Sequence, residues 1–201
     1  MNTVVRIPLD TSPEQLARLV ELQAAFAKVC NALAPLVQKT RCWNRVALHH
    51  MAYKGLREQF PELGSQMVCN AIYSVSRTSR LVFQHPQSPF NVAKLGDKQL
   101  PLLQFIPTNP VYFDRHTLSI KPGQLSLYTL DGRMHFQLAL AATVEEGFRQ
   151  KKLREIVLSR PLGGLFELAF TFSDDATDSV EPAAEAGSGD IPEYVMVEEA
   201  V

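Results

Sequence analysis

The chain opens on a segment that reads as a strand but has no neighbour to pair with. Val4, Val5, Ile7 and Leu9 are β-prone and apolar, with Pro8 marking an edge or a strand end. A single strand leaves its backbone donors and acceptors unpaired, so it must find a partner elsewhere. The next segments with a period of two lie near residue 101. Everything between reads as helix or connector. The N-terminal strand must therefore pair across a helical insertion. The simplest fold is α+β: one antiparallel β-barrel or sheet with a three-helix block inserted after its first strand.

The helical block is well punctuated. Ser12-Pro13-Glu14-Gln15 forms a start signal in which Ser12 caps, Pro13 takes the first helical position and Gln15 closes a capping box. Leu16, Leu19, Val20, Gln23, Phe26, Ala27, Cys30 and Leu33 follow at helical spacing. A second helix is expected from Asn44 to Phe60, capped by Asn44, with Leu48, Met51 or Ala52, Leu56 and Phe60 inward. Pro61 and Gly64 end it. A third is expected from Ser65 to Phe83, with Val68, Ala71, Ile72 and Val75 inward, and with Arg77 and Arg80 near the negative end of its dipole. His85 to Leu100, with Pro86, Pro89 and Gly96, reads as a connector.

From residue 101 the period becomes two. Leu103–Ile106, Val111–Phe113 and Thr117–Ile120 are short strands. Leu125–Leu130 and Arg133–Leu140 flank Asp131-Gly132, the clearest hairpin signal in the chain. Arg154–Ser159 and Leu165–Phe172 are two more strands, and Glu145–Lys152 is a charged loop or short helix. The expected domains are 1–11 with 101–173 as the β domain, 12–83 as the helical lobe, 84–100 as connector and 174–201 as tail. The tail is acidic and poor in apolar residues, so it is expected to be mostly disordered; Tyr194-Val195-Met196-Val197 is a small apolar patch able to dock.

Charge divides along the same line. All 20 Lys and Arg lie at or before Arg160; 12 Asp and Glu lie in residues 1–173 and 9 in residues 174–201, giving a body of +8 and a tail of −9. A basic body suits a polyanionic partner. Three cysteines without regular spacing point to free thiols in a reducing compartment, so a cytoplasmic location is expected. No unbroken apolar run of about 18 residues is present, so no membrane-spanning helix is expected. Met1 to Asp10 does not read as a secretory signal.

The candidate site residues follow from this charge. Arg41, Arg45, Lys54, Arg57, Arg77 and Arg80 lie on the helical block with Trp43 and Tyr53 among them: arginines hold phosphates and aromatics stack on unpaired bases. The competing reading packs Trp43 and Tyr53 in the core. Ser65, Gln66, Asn70 and Tyr73 place polar groups at the start of the third helix, where Gln and Asn can pair with adenine; Ser65 is equally an N-cap, and Asn70 equally suits a water-facing position. Arg149, Lys151, Lys152 and Arg154 form the densest basic cluster, either a phosphate clamp or a solvated loop. Lys121 and Arg133 add cations to the β part. His49-His50 after Cys42 lacks the paired spacing of a zinc site, and no nucleophile motif is present, so neither metal, cofactor nor catalytic residue is assigned.

Several of these segments resemble, in order, the N-terminal half of the TnpB (OrfB) family of transposon-encoded RNA-guided nucleases, relatives of compact type V CRISPR effectors. They are Arg6-Ile7-Pro8-Leu9 before Ser12-Pro13-Glu14-Gln15, then Phe26 and Asn31. Leu48-His49-His50, Tyr53 and Leu56-Arg57-Glu58 follow, then Phe60-Pro61-Glu62-Leu63-Gly64-Ser65-Gln66, and Ala71-Ile72 with Val75. In the β part, they are Val111-Tyr112-Phe113-Asp114-Arg115 and Leu125-Ser126-Leu127 before Asp131-Gly132-Arg133. The resemblance spans roughly residues 4–172. It implies a wedge-like β-barrel interrupted by a helical recognition lobe, with guide RNA and/or double-stranded DNA as partners. The family's nuclease half, with its two-metal carboxylates and zinc ribbon, is expected to be missing. The implied role is therefore a catalytically inactive nucleic-acid-binding protein: a subunit of a split effector working with a separate nuclease chain, a repressor or a remnant. The alternative is a protein-interaction module that has lost nucleic-acid binding. No membrane partner is expected.

Overall fold

In the computed structural model, which describes residues 2–174 and 188–199, the elements run β1 (Asn2–Pro8), α1 (Pro13–Thr40), α2 (Arg45–Gln59), α3 (Ser65–Phe83), α4 (Val92–Leu95), β2 (Leu102–Phe105), β3 (Val111–Phe113) and β4 (Leu118–Lys121). They continue with β5 (Gln124–Thr129), β6 (Gly132–Gln137), α5 (Ala142–Gln150), β7 (Lys152–Ser159), β8 (Glu167–Ser173) and β9 (Val195–Glu198). The chain is mixed helix and antiparallel sheet. β1 pairs antiparallel with β8 from Asn2↔Ser173 to Pro8↔Glu167, so the N-terminal strand finds its partner beyond the helices. The single barrel does not form. Instead, among the described residues there are three sheets, β1-β8-β7-β3, β2-β9 and β4-β5-β6, none closed into a barrel. The break after β3 has a local cause. Asp114 accepts the Thr117 N–H (3.1 Å) and hydroxyl (2.7 Å) on Oδ1, while its own N–H donates to Thr117 Oγ1 (2.9 Å). This turn ends β3 after three residues, and the chain continues into a separate meander.

The chain divides into two compact units: Met1–Leu22 with Pro110–Glu181, and Gln23–Asn109 with Pro182–Val201. The boundary falls inside α1, and β2 belongs with the helices rather than with the other central strands. In the first unit, β8 turns Leu168, Phe170 and Phe172 inward, and β7 adds Ile156 and Leu158. Phe170 lies opposite Ile156 and Leu168 opposite Leu158, the cross-strand pairs that stabilise a sheet. Phe148 of α5 meets Phe170 and Phe172 edge-on, with centroids 5.0 and 4.9 Å away. Ser12 and Gln15 make the expected reciprocal capping box at the start of α1 (2.9 and 3.2 Å). The hairpin also forms, but its loop is Leu130-Asp131. Gly132 already pairs with Thr129, at a φ of 106° that favours glycine.

In the second unit, α2 is capped by Asn44, whose Oδ1 accepts the Ala47 N–H at 3.0 Å. Leu48 and Leu56 are buried, whereas Met51 faces outward at 48% exposure. α3 spans Ser65–Phe83, and Val68, Ala71, Ile72 and Val75 are buried as expected. Its N-cap is Gly64, not Ser65. β2 is tied to α1 by Asn31, whose amide donates to Phe105 O (3.0 Å) and accepts the Phe105 N–H (2.7 Å). By length and composition α1 is long and apolar enough to cross a membrane, although it contains no unbroken apolar run of the kind sought in the sequence. Half of its most apolar window is buried within the structure. Gln23 and Gln38 on it bond to the Asn109 and Leu100 carbonyls. These are features of a helix that packs in a protein core.

The expectation of a mostly disordered 174–201 is corrected over 188–199. β9 pairs with β2 from Phe105↔Val195 to Leu102↔Glu198. Ile106 N–H donates to Tyr194 O (3.0 Å), and the Tyr194 hydroxyl lies 2.9 Å from Thr78 Oγ1. Gly189 packs so close to Gln87 that a Cβ there would lie 2.6 Å from the Gln87 Cβ. Average composition hid this short β-prone run. Residues 175–187 and 200–201 of that tail lie outside the described residues. The register gives a sharp contrast, since Val195 is 5% exposed and its neighbour Met196 57%. Val195→Asp buries an unpaired charge and is expected to lower stability by about 2–4 kcal/mol in chemical denaturation, while Met196→Asp stays within about 0.5 kcal/mol of wild type. Equal effects of the two would contradict the register.

Candidate nucleic-acid interface

Twelve of the nineteen α3 residues are buried. Among those left half-buried are Gln66, Cys69, Tyr73, Arg77 and Arg80, whose spacing of three, four, four and three keeps them on one face of the helix. α2 contributes Arg45, His49 and Tyr53, each one turn from the next. The two rows meet rung by rung. The Arg45 guanidinium carbon sits 5.7 Å from the centre of the Tyr73 ring. The His49 ring stacks on Tyr53, with centroids 4.5 Å apart and planes 16° from parallel, and its Nδ1 lies 3.9 Å from Cys69 Sγ. Glu58 and Glu62 are the only acidic residues from 45 to 83, and neither belongs to these rows.

Six of the expected residues are thus brought together: Arg45, Tyr53, Gln66, Tyr73, Arg77 and Arg80. Lys54 and Ser65 are exposed on the same two helices. His49 and Cys69 were missed as members of this surface. Helical spacing from Arg45 and Tyr53, and from Tyr73, was the signal that would have found them.

The remaining residues of this unit are engaged within the fold. Arg41 adopts a left-handed φ of 54° after α1, and its guanidinium donates to Lys98 O and Gly96 O, both at 2.9 Å. Trp43 Nε1 donates to Gln84 Oε1 (3.0 Å), its ring lies 5.6 Å from Phe83, and its carbonyl accepts the Ser76 hydroxyl. Packing is therefore the part of the Trp43 alternative that the fold realises. Arg57 donates to Leu63 O at 2.6 Å, closing the turn between α2 and α3. Asn70, expected to read a base or face water, is buried beside Met67 Sδ.

In the other unit the basic cluster is split. Lys151 pairs with Asp174 (3.2 Å) and reaches Thr3 Oγ1 (3.4 Å), Arg154 donates to Ser173 Oγ (3.2 Å), and Lys152 is half-buried on β7. Arg133 spans the meander, donating to Ser126 Oγ (2.6 Å) and Ser126 O (3.1 Å). Lys121 and Arg149 lie together at the rim of a hollow between the β4–β5 turn and α5.

Among the described residues no group of three or more His, Cys, Asp or Glu is placed to hold a metal ion. Cys30 is fully buried, and burial pushes its thiol from the ordinary 9.0 up to about 12. In the native chain Cys30 should therefore resist iodoacetamide at pH 8 while half-buried Cys42 is modified, and it should react once the chain unfolds; native labelling of Cys30 would contradict its burial. Between pH 9 and 12 the folded state also holds a proton on Cys30 that the unfolded state has lost, so this group's contribution to stability falls as pH rises through that window. Compared with models of known protein families and with curated proteins, the chain has no match.

Proposed function

We propose that the chain is a TnpB-like nucleic-acid-binding protein that holds RNA, or RNA together with target DNA, without cutting it, and that the α2–α3 surface is its main contact. The observation that carries this reading is the double row of Arg45, His49 and Tyr53 beside Gln66, Tyr73, Arg77 and Arg80, where cationic and aromatic side chains lie together along two adjoining helix faces. Arginines on such a surface neutralise phosphates, and half-exposed aromatic rings supported from below offer faces on which unpaired bases stack. A sequence-tolerant, salt-sensitive grip on single-stranded RNA is the chemistry these residues supply.

The wider resemblance draws support from the chain's topology, in which the first strand pairs beyond a helical insertion. We read the β-rich unit as wedge-like, with guide RNA as the first partner and a separate nuclease chain supplying any cleavage, in the cytoplasm. The alternative is a protein-interaction module that docks through the tail and Tyr194–Val197; of that segment, Tyr194 bonds to Thr78 and β9 pairs with β2 within the fold.

The purified chain is expected to carry RNA, seen as a 260/280 nm absorbance ratio that falls on ribonuclease treatment. In fluorescence anisotropy with labelled single-stranded RNA, affinity should drop steeply from 50 to 200 mM salt. Arg77→Ala/Arg80→Ala should weaken binding and reduce the salt slope by about 1.4, roughly 0.7 for each phosphate no longer neutralised, with circular dichroism checking the fold. A chain that ignores RNA at low salt, or a folded double variant with unchanged affinity and slope, would sink the proposal.

A further inference from the structure

The hollow beside α5 has no part in the surface just described, yet its lining is chemically selective. Its volume is about 130 Å³. A cavity of about 150 Å³ admits benzene, whereas drug-sized ligands need about 300 Å³ or more, so this one is sized for a single six-membered ring. The apolar part of its lining comes from Ile120 in β4, Pro122 in the β4–β5 turn, Leu140 in the segment after β6, and Phe148 in α5. Phe148 is anchored edge-on against Phe170 and Phe172, which fixes one wall. The turn is itself held by Gly123, whose φ of 77° favours glycine and whose carbonyl accepts the Leu138 N–H at 3.0 Å.

Three charged groups make up the rest of the lining. Glu145 and Arg149 stand four residues apart on α5 with Phe148 between them, so all three share one helix face. Lys121 joins from the end of β4. Lys121 and Arg149 are exposed, and Glu145 is half-buried. Two cations beside a slot walled in part by Phe148, Leu140, Ile120 and Pro122 match a ring carrying a phosphate. A carboxylate accepts from an amino group, which is how Glu or Asp selects the N4 amine of cytosine.

We infer that this hollow holds one unpaired pyrimidine nucleotide of the bound strand, with cytosine preferred over uracil. The ring enters between Phe148 and the turn, Glu145 accepts its amine, and Lys121 and Arg149 hold the adjacent phosphate. The inference rests on the nucleic-acid reading and adds base preference to it.

Fluorescence anisotropy of the full chain with labelled rC8 and rU8 tests it. The wild type should bind rC8 about tenfold more tightly than rU8, the scale of one good base contact. Glu145→Leu should bring the rC8 and rU8 affinities together. Lys121→Ala/Arg149→Ala should weaken both. Equal wild-type affinities, or a preference that survives Glu145→Leu, overturn the inference. The nucleic-acid reading then still stands if Arg77→Ala/Arg80→Ala weakens binding. If neither oligomer binds, that reading falls, and titration with millimolar CMP followed by NMR decides the pocket alone. Shifts at Phe148 and Arg149 that vanish in Glu145→Leu support the site, and their absence overturns it.

Discussion

The ladder between β1 and β8 joins residues more than 150 positions apart and brings the first strand of the chain into the sheet of the β-rich unit. β1 brings little apolar surface of its own, since Ile7 is the one buried side chain among its described residues. What holds it is the run of backbone hydrogen bonds to a strand whose other edge is already paired with β7, and whose inner face carries Leu168, Phe170 and Phe172. Arg6 adds an exposed pair with Glu167 at 2.8 Å, a minor contribution for an ion pair in water. The closure entropy of a long insertion grows only with the logarithm of its length, so the helices between these strands cost little more than a short loop would. A strong hairpin, β7–β8, thus gives an otherwise weak strand its place.

The helical residues divide by the chemistry of their surroundings. Arg41 and Arg57 stand where the chain reverses: the fork of Arg41 reaches two carbonyls at once, and Arg57 reaches the Leu63 carbonyl. Arg133 does the same across a hairpin. Arg45, by contrast, stands on a helix face over the ring of Tyr73. The small hydroxyl residues of α3 complete the picture. Ser74, Ser76, Thr78 and Ser79 are buried, which lets the polar stripe and the packed face coexist on one helix.

Much of this architecture was legible in the residues themselves. The capping box at Ser12, the Asn44 cap, the extent of the third helix, the Asp131-Gly132 hairpin and the need of the first strand for a distant partner all follow from local chemistry that tertiary contacts did not override. The candidate surface was legible in composition, as arginines and tyrosines between residues 41 and 80, but not in membership. Trp43, Arg57 and Asn70 look the same in sequence as Tyr53, Arg77 and Gln66. Only the crossing of α2 and α3 decides which face each one meets.

Tertiary structure alone decided three further things. It set the strands in separate sheets rather than the expected barrel, because no local propensity shows how distant strand edges will meet. It drew residues 188–199 into the helical unit, because β2 offered an open edge and Thr78 a hydroxyl, partners invisible from an acidic tail's composition. It also gathered Lys121, Glu145 and Arg149 around one slot from segments more than twenty residues apart. Sequence by itself determined the extent of the three long helices, most of the central strands and that the ends of the body must meet. The pairing of distant edges, and the company each charged side chain keeps, is set by packing in three dimensions.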